Sequence, residues 1–292
     1  MRRINIARLE RSHPDFKVIS EIEAELMRKA GGFDAFRGQF PRLVRQAIDE
    51  LIDTLRTGRL RWNELEKTEK TYVGTKIEII VRNYFGLQRG ILDLRLGERD
   101  VDVKYTFFSD LMIPPEVSGK PCILIASDEE EQTCFFGVFV ARPEYLRSSV
   151  NRDEKTSISA AGRANIDWLL NGEPYPEGFW SGIGKAASAE IMNGGSGAER
   201  MRRLFRLVQD RPIHRDIIEA VGRQKDPMKR IRKNGGARDQ LALEGVVVLT
   251  GTYDRALIEK LGLASCTRDE AISFKPTDPA QVALLRINKR IS

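Results

Sequence analysis

The hydrophobic period of this 292-residue chain changes near residue 90, and that change limits which folds it can adopt. Over residues 21–86 the apolar positions recur mostly at helical spacing, as in Leu43, Ala47, Leu51 and Leu55, then Val73, Ile77, Ile80 and Tyr84. From Ile91 the period is two. Strands are predicted at 91–96, 101–106, 122–126 and 135–141, with turns at Gly97-Glu98-Arg99-Asp100 and at Asp128-Glu129-Glu130-Glu131. Helices followed by alternating strands imply an α/β (α+β) architecture in which helices flank a sheet.

The first two strands carry the sharpest chemical signal. A hairpin across the four-residue turn pairs Leu96 with Val101 and Asp93 with Lys104. Side chains alternate along a strand, so Asp93, Arg95, Asp102 and Lys104 then share one face, and Leu92, Leu94, Val101 and Val103 take the other. Two carboxylates beside a lysine can hold a hard cation through oxygen, while the ammonium positions or activates an attacking water. The same pattern also describes a ladder of cross-strand ion pairs, Asp93 with Lys104 and Arg95 with Asp102, on a solvated face. Glu78, in the preceding apolar run, is a third carboxylate that is costly to bury unless paired or bound to a cation. Thr75-x-x-Glu78 also fits a capping box, in which Glu78 would only start a helix.

A net charge of +6 and a pI near 9.2 favour polyanionic partners. The distribution is more telling, because residues 223–238 hold seven basic side chains (Arg223, Lys225, Lys229, Arg230, Arg232, Lys233 and Arg238) against one acid, Asp226. Asp226-Pro227 is a helix start, and a basic helix after residues 217–221 and a Gly222 break has the layout of a recognition helix.

The Gly- and Pro-rich stretch 171–184 marks a domain boundary, which separates residues 1–170 from residues 171–292. Beyond it, helices are predicted at 198–209, 214–222 and 226–233, and strands at 245–250, 273–276 and 283–288. Helices followed by a small sheet suggest a winged helix-turn-helix. Three cysteines, Cys122, Cys134 and Cys266, lack metal-ligand spacing and read as buried free thiols; with only His13 and His214 beside them, the sequence argues against zinc and serine-histidine chemistry. No apolar run reaches the roughly 18 residues of a membrane span, and Met1-Arg2-Arg3-Ile4-Asn5 opens no secretory signal, so a cytoplasmic location is expected.

The motifs resemble those of the NaeI family of type II restriction endonucleases. The likeness runs through Glu66-Lys67-Thr68-Glu69-Lys70-Thr71, Gly74-Thr75, Glu78, Asp93 and Val101-Asp102-Val103-Lys104. It goes on through Pro114-Pro115-Glu116, Ala126-Ser127-Asp128, Asn151-Arg152-Asp153 and Gly162-Arg163-Ala164 to Met228-Lys229-Arg230-Ile231-Arg232, Gly235-Gly236-Ala237-Arg238, Glu244-Gly245 and Leu261-Gly262-Leu263. Matches in one order from about Arg56 to Leu263 are more specific than an isolated D…DxK.

The resemblance implies a PD-(D/E)xK nuclease domain, a mixed sheet flanked by helices, joined to a catabolite-activator-like helix-turn-helix domain. It also implies a homodimer on double-stranded palindromic DNA, activated by a second DNA copy in the second domain. By position, Asp93 and Asp102 would ligate Mg2+, Glu78 would ligate it or orient water, and Lys104 would assist the nucleophilic water. Lys229, Arg230, Arg232, Lys233 and Arg238 would meet DNA. The chain departs from the family pattern in its first residues, in a loop between Lys104 and Pro114 about one residue shorter, and in its carboxy end. The family's GC-rich recognition sequence is therefore not carried over. Two other functions share these residues: a DNA-binding regulator with an inactive nuclease-like domain, and a nicking or repair endonuclease.

Overall fold

The computed structural model describes residues 8–107, 110–223 and 237–291. Within them the chain divides into two units, Met1–Leu51 with Leu65–Gly178, and Ile52–Glu64 with Phe179–Ser292. The boundary expected after residue 170 falls inside a strand, because the last strand of the first unit runs on to Pro174.

The first unit holds helices α1 (Phe16–Ala30) and α2 (Phe33–Ile52) and the long α4 (Lys67–Tyr84); the single turn α3 (Thr54–Thr57), between α2 and α4 in the chain, belongs to the second unit. Glu69 Oε2 accepts the Glu66 backbone N–H at 2.7 Å, so α4 is capped at Glu66. Thr75 and Glu78 therefore lie well inside α4, and the alternative reading of Glu78 as a capping residue is overturned. The strands are β1 (Leu94–Leu96), β2 (Arg99–Thr106), β3 (Met112–Ile113), β4 (Pro121–Asp128), β5 (Thr133–Val140), β6 (Leu146–Val150), β7 (Thr156–Ile158) and, after the single turn α5 (Ala160–Arg163), β8 (Asp167–Pro174).

Five of these form one mixed sheet in the order β1-β2-β4-β5-β8, in which β2 and β4 run parallel and the other pairs antiparallel. Alternation gives the sheet two apolar faces. On one, Phe136 of β5 meets Phe36 and Phe40 of α2 with ring centroids 5.0 and 4.9 Å apart. On the other, Cys122, Leu124, Phe135 and Phe139, with Trp168 of β8, pack with Leu111, Ile113, Val117 and Ile158 from the segments around the small sheet β3-β7-β6.

The hairpin register differs from the expected one. Leu94 pairs with Val101 and Leu96 with Arg99, leaving only Gly97 and Glu98 in the turn, and Gly97 supplies the positive φ of 61° that so tight a turn favours. A shift of two residues conserves the faces, so the predicted sharing of sides survives along β2. The predicted strand at 91–96 shortens to Leu94–Leu96, and Asp93 lies just before it.

The second unit contains α6 (Phe179–Gly182), α7 (Gly184–Met192), α8 (Gly197–Leu207), β9 (Ile213–His214), α9 (Arg215–Gly222), α10 (Ala237–Leu243), β10 (Val247–Thr250), α11 (Gly251–Lys260), β11 (Glu270–Phe274) and α12 (Pro279–Ile287). Trp180, Met201, Leu204, Phe205, Ile218, Leu241 and Val248 form its main core. Its sheet has the order β10-β11-β9, antiparallel throughout. The Ser273 hydroxyl of β11 donates to the carbonyls of Phe205 and Val208 at 2.7 and 2.9 Å, which ties the sheet to the end of α8. The strand predicted at 283–288 is helix α12 instead, started by Asp278, whose carboxylate accepts the Ala280 N–H at 2.8 Å, and by Pro279 in the first turn.

All three cysteines are free and buried. Among the described residues no helix is long and apolar enough to cross a membrane.

Candidate active site

Strand β2 presents Val101 and Val103 to the helix-covered face and Asp102 and Lys104 to the other. Because β1 begins only at Leu94, the Val103 N–H has no partner strand on that edge. Asp93 fills the gap: its Oδ2 accepts the Val103 N–H at 2.8 Å, which fixes the carboxylate beside β2. Lys104 Nζ lies 2.6 Å from Asp102 Oδ2 and 3.9 Å from Asp93 Oδ2, so one ammonium serves two aspartates. The same nitrogen donates to the Val103 carbonyl at 3.3 Å. Of the cross-strand ladder read as the alternative, the Asp93 and Lys104 pair is present, but Arg95 turns away to Glu98 at 3.4 Å.

Asp102 is buried to 4% exposure, and its Oδ2 accepts no hydrogen bond although it touches the lysine in ion-pair geometry. Burial pushes the Asp102 carboxyl up, while Lys104 pulls it back toward the charged form. Glu78 projects from the middle of α4. Burial, then repulsion from Asp93, pushes its carboxyl up to about 7, and the Lys104 and Arg82 charges only partly offset this. The structure thus brings Asp93, Asp102 and Lys104 into contact and sets Glu78 within their field without an ion pair to them.

Arg82 was not singled out by sequence reasoning. It follows Glu78 by four residues on α4, hence on the same helical face, and its Nη1 donates to the Asp93 carbonyl at 3.4 Å. That spacing was the available signal.

Among the described residues, no three His, Cys, Asp or Glu side chains converge closely enough to enclose a metal ion. The donor set nevertheless suits a hard divalent cation: carboxylate oxygens only, from Asp93 and Asp102 with Glu78 in their field, against the single ammonium of Lys104.

In the second unit, Lys229, Arg230, Arg232 and Lys233 and the predicted helix at 226–233 lie outside the described residues. Arg238, expected on a DNA surface, points inward instead, with Nη2 3.8 Å from Asp254 Oδ2. Asp254 is almost fully buried, also pairs with Arg290, and accepts the Thr250 N–H at 2.9 Å. Desolvation lowers the Arg238 guanidinium pKa, and the Asp254 charge opposes the shift.

A central mixed sheet flanked by helices, with two aspartates and a lysine clustered at its β1–β2 edge, is consistent with the fold of the restriction-type nucleases. The family described as restriction endonuclease NaeI matches residues 34–281. The type II restriction enzyme NaeI of Lentzea aerocolonigenes is 33% identical over 217 residues, which cover 71% of this chain and 68% of the relative. The chain belongs to the NaeI restriction endonuclease family, and it is an enzyme of the type II class.

Proposed function

We propose that this chain cleaves both strands of DNA at a specific site in a Mg2+-dependent hydrolysis carried by Glu78, Asp93, Asp102 and Lys104. The observation that carries the reading is the single Lys104 ammonium shared by Asp93, just before β1, and Asp102 of β2. Asp93 and Asp102 would hold the cation, with Glu78 beside them as a further ligand or as the group that orients water. Bound there, Mg2+ supplies Lewis-acid stabilisation of the charge that builds on the phosphate. Lys104 donates hydrogen bonds that position the attacking water. The water oxygen bonds to phosphorus and loses a proton to solvent, while the phosphorus–oxygen bond to the leaving nucleotide breaks and the leaving oxygen takes up a proton from solvent.

The chain acts as a homodimer, because two copies of one site related by a two-fold axis match the two strands of a palindromic duplex. The second unit is a winged helix-turn-helix that takes a second DNA copy. Its order α8-β9-α9, then α10-β10 and β11, with the short first strand paired to the last, supports that reading. The connection between β10 and β11 holds α11 where such domains have a short wing.

The test is digestion of several plasmids by the purified protein in Mg2+, with the ends mapped by sequencing, and a parallel sample in Ca2+. The expected result is one recurrent sequence cut on both strands in Mg2+, with binding but no cutting in Ca2+. Binding without any cut in Mg2+ would make the chain a regulator, and cuts confined to one strand would make it a nicking enzyme.

A further inference from the structure

The segment between α4 and β1 is tightly anchored and leads directly into Asp93. Leu87 N–H donates to the Arg82 carbonyl and Arg95 N–H to the Gln88 carbonyl, each at 2.9 Å, and Ile91 N–H donates to Asp100 Oδ1 at 2.7 Å. Leu92 turns inward against the core that holds Leu111 and Trp168. Gly90 is so enclosed that a Cβ there would lie 2.1 Å from Asp100 Oδ1 and 2.8 Å from the Leu94 carbonyl oxygen. A larger residue at 90 would force the loop to move. The backbone is therefore held on both sides, and the side chain left outside is Ile91, 91% exposed.

A single exposed isoleucine means little in general. This one stands two residues from Asp93 on a loop whose conformation is set by hydrogen bonds. Exposed Arg89 stands two residues before it, while Arg95 of β1 is engaged with Glu98. A cationic side chain beside an apolar tip suits a duplex, since the guanidinium meets phosphate while the apolar group faces base edges. A rigid display also matters, because a flexible side chain would lose the advantage to ordering entropy on binding.

We propose that Ile91 is a DNA wedge: it enters a groove beside the phosphate to be cleaved at the Asp93, Asp102 and Lys104 cluster and partly unstacks the adjoining base step. The proposal rests on the reading of that cluster as the cleavage site. It assigns Ile91 to substrate contact and deformation, with no part in the chemistry.

The experiment uses the full chain in Ca2+ and duplexes carrying the mapped cleavage sequence, with 2-aminopurine placed in turn at each base step around the cut. One step should brighten with wild-type protein, lose most of that gain with Ile91→Ala and regain it with Ile91→Leu. Affinity for the duplex should fall about ten-fold in Ile91→Ala, with the circular dichroism spectrum unchanged. Equal fluorescence for wild type and Ile91→Ala at every step would overturn the wedge. So would an Ile91→Ala change in oligomeric state without DNA, which would make Ile91 a contact between copies of the chain. A parallel Asp102→Ala digest separates the two levels. If that variant still cuts in Mg2+, the cleavage-site reading fails and the wedge with it; if it does not cut and the fluorescence is unmoved, only the wedge fails.

Discussion

Lys104 touches Asp102 and lies within ion-pair reach of Asp93, so one positive charge stands against two negative ones at the sheet edge. Glu78 adds a third carboxyl that has no cation of its own, which is why burial and Asp93 raise it to about 7. The consequence for stability has a definite sign. A carboxyl raised from 4.5 to about 7 binds more protons in the folded than in the unfolded chain across that interval. Its contribution is therefore full below the unfolded value and is lost as pH rises through the folded one. In metal-free buffer, Glu78→Gln should melt with wild type at acid pH and about 2 °C above it at pH near 8. Melting curves over the pH range check this, and a difference that does not vary with pH would remove Glu78 from the buried acidic field. That field was only partly visible in the chain. The order Asp93, Asp102, Lys104 was legible through period-two alternation. That Asp93 stands in for a missing strand partner of Val103 was not, because it depends on where β1 begins.

Elements are held in place by polar contacts that no periodicity reveals. Asp15, at the start of α1, is buried, and Arg142, just past β5, grips it with Nε and Nη2 at 2.9 and 2.7 Å from Oδ1. Arg142→Ala strands a buried carboxylate and should destabilise the fold. The urea midpoint should fall with an unchanged slope, whereas an unmoved midpoint would mean that α1 is positioned by apolar packing alone. The long amphipathic helices and the strands β2, β4 and β5 were legible because their periods are unambiguous. Residues 283–288 were not, since Ala283, Leu284, Leu285 and Ile287 form a short apolar run that suits strand or helix equally. There the start signal at Asp278-Pro279 decides for helix. The hairpin register was hidden for a similar reason: either a four-residue or a two-residue turn keeps the same side chains on the same face, so alternation could not choose between them. The buried pairs of Arg200 with the Val221 carbonyl at 2.8 Å, and of Asp254 with Arg290, join residues far apart in the chain and left no local pattern.

At the scale of the whole molecule, the proposed function asks one chain to handle two duplexes. Neutralising Lys229, Arg230 and Arg232 together should lower the slope of log affinity against log salt by about 0.9 for each phosphate that the variant no longer neutralises. It should also abolish any stimulation of cleavage by an added short duplex carrying the site. An unchanged slope would make that basic segment an ordinary solvated surface. Stimulation, where it occurs, requires that the second duplex favour the cleavage-competent state; a coupling of about 1–3 kcal/mol corresponds to roughly 5- to 150-fold. The family places the chain among type II restriction endonucleases, and what then stands or falls is whether the β1–β2 cluster is the cutting site. The direct measurement is plasmid cleavage in Mg2+ by wild type, Asp102→Ala and Lys104→Ala at equal concentration, with circular dichroism recorded on the same samples. Both variants should stay folded, and their cleavage should fall by a factor of about 100 or more, as expected when a group acting on the transition state is removed. Cleavage by a folded Asp102→Ala at the wild-type rate would contradict the account.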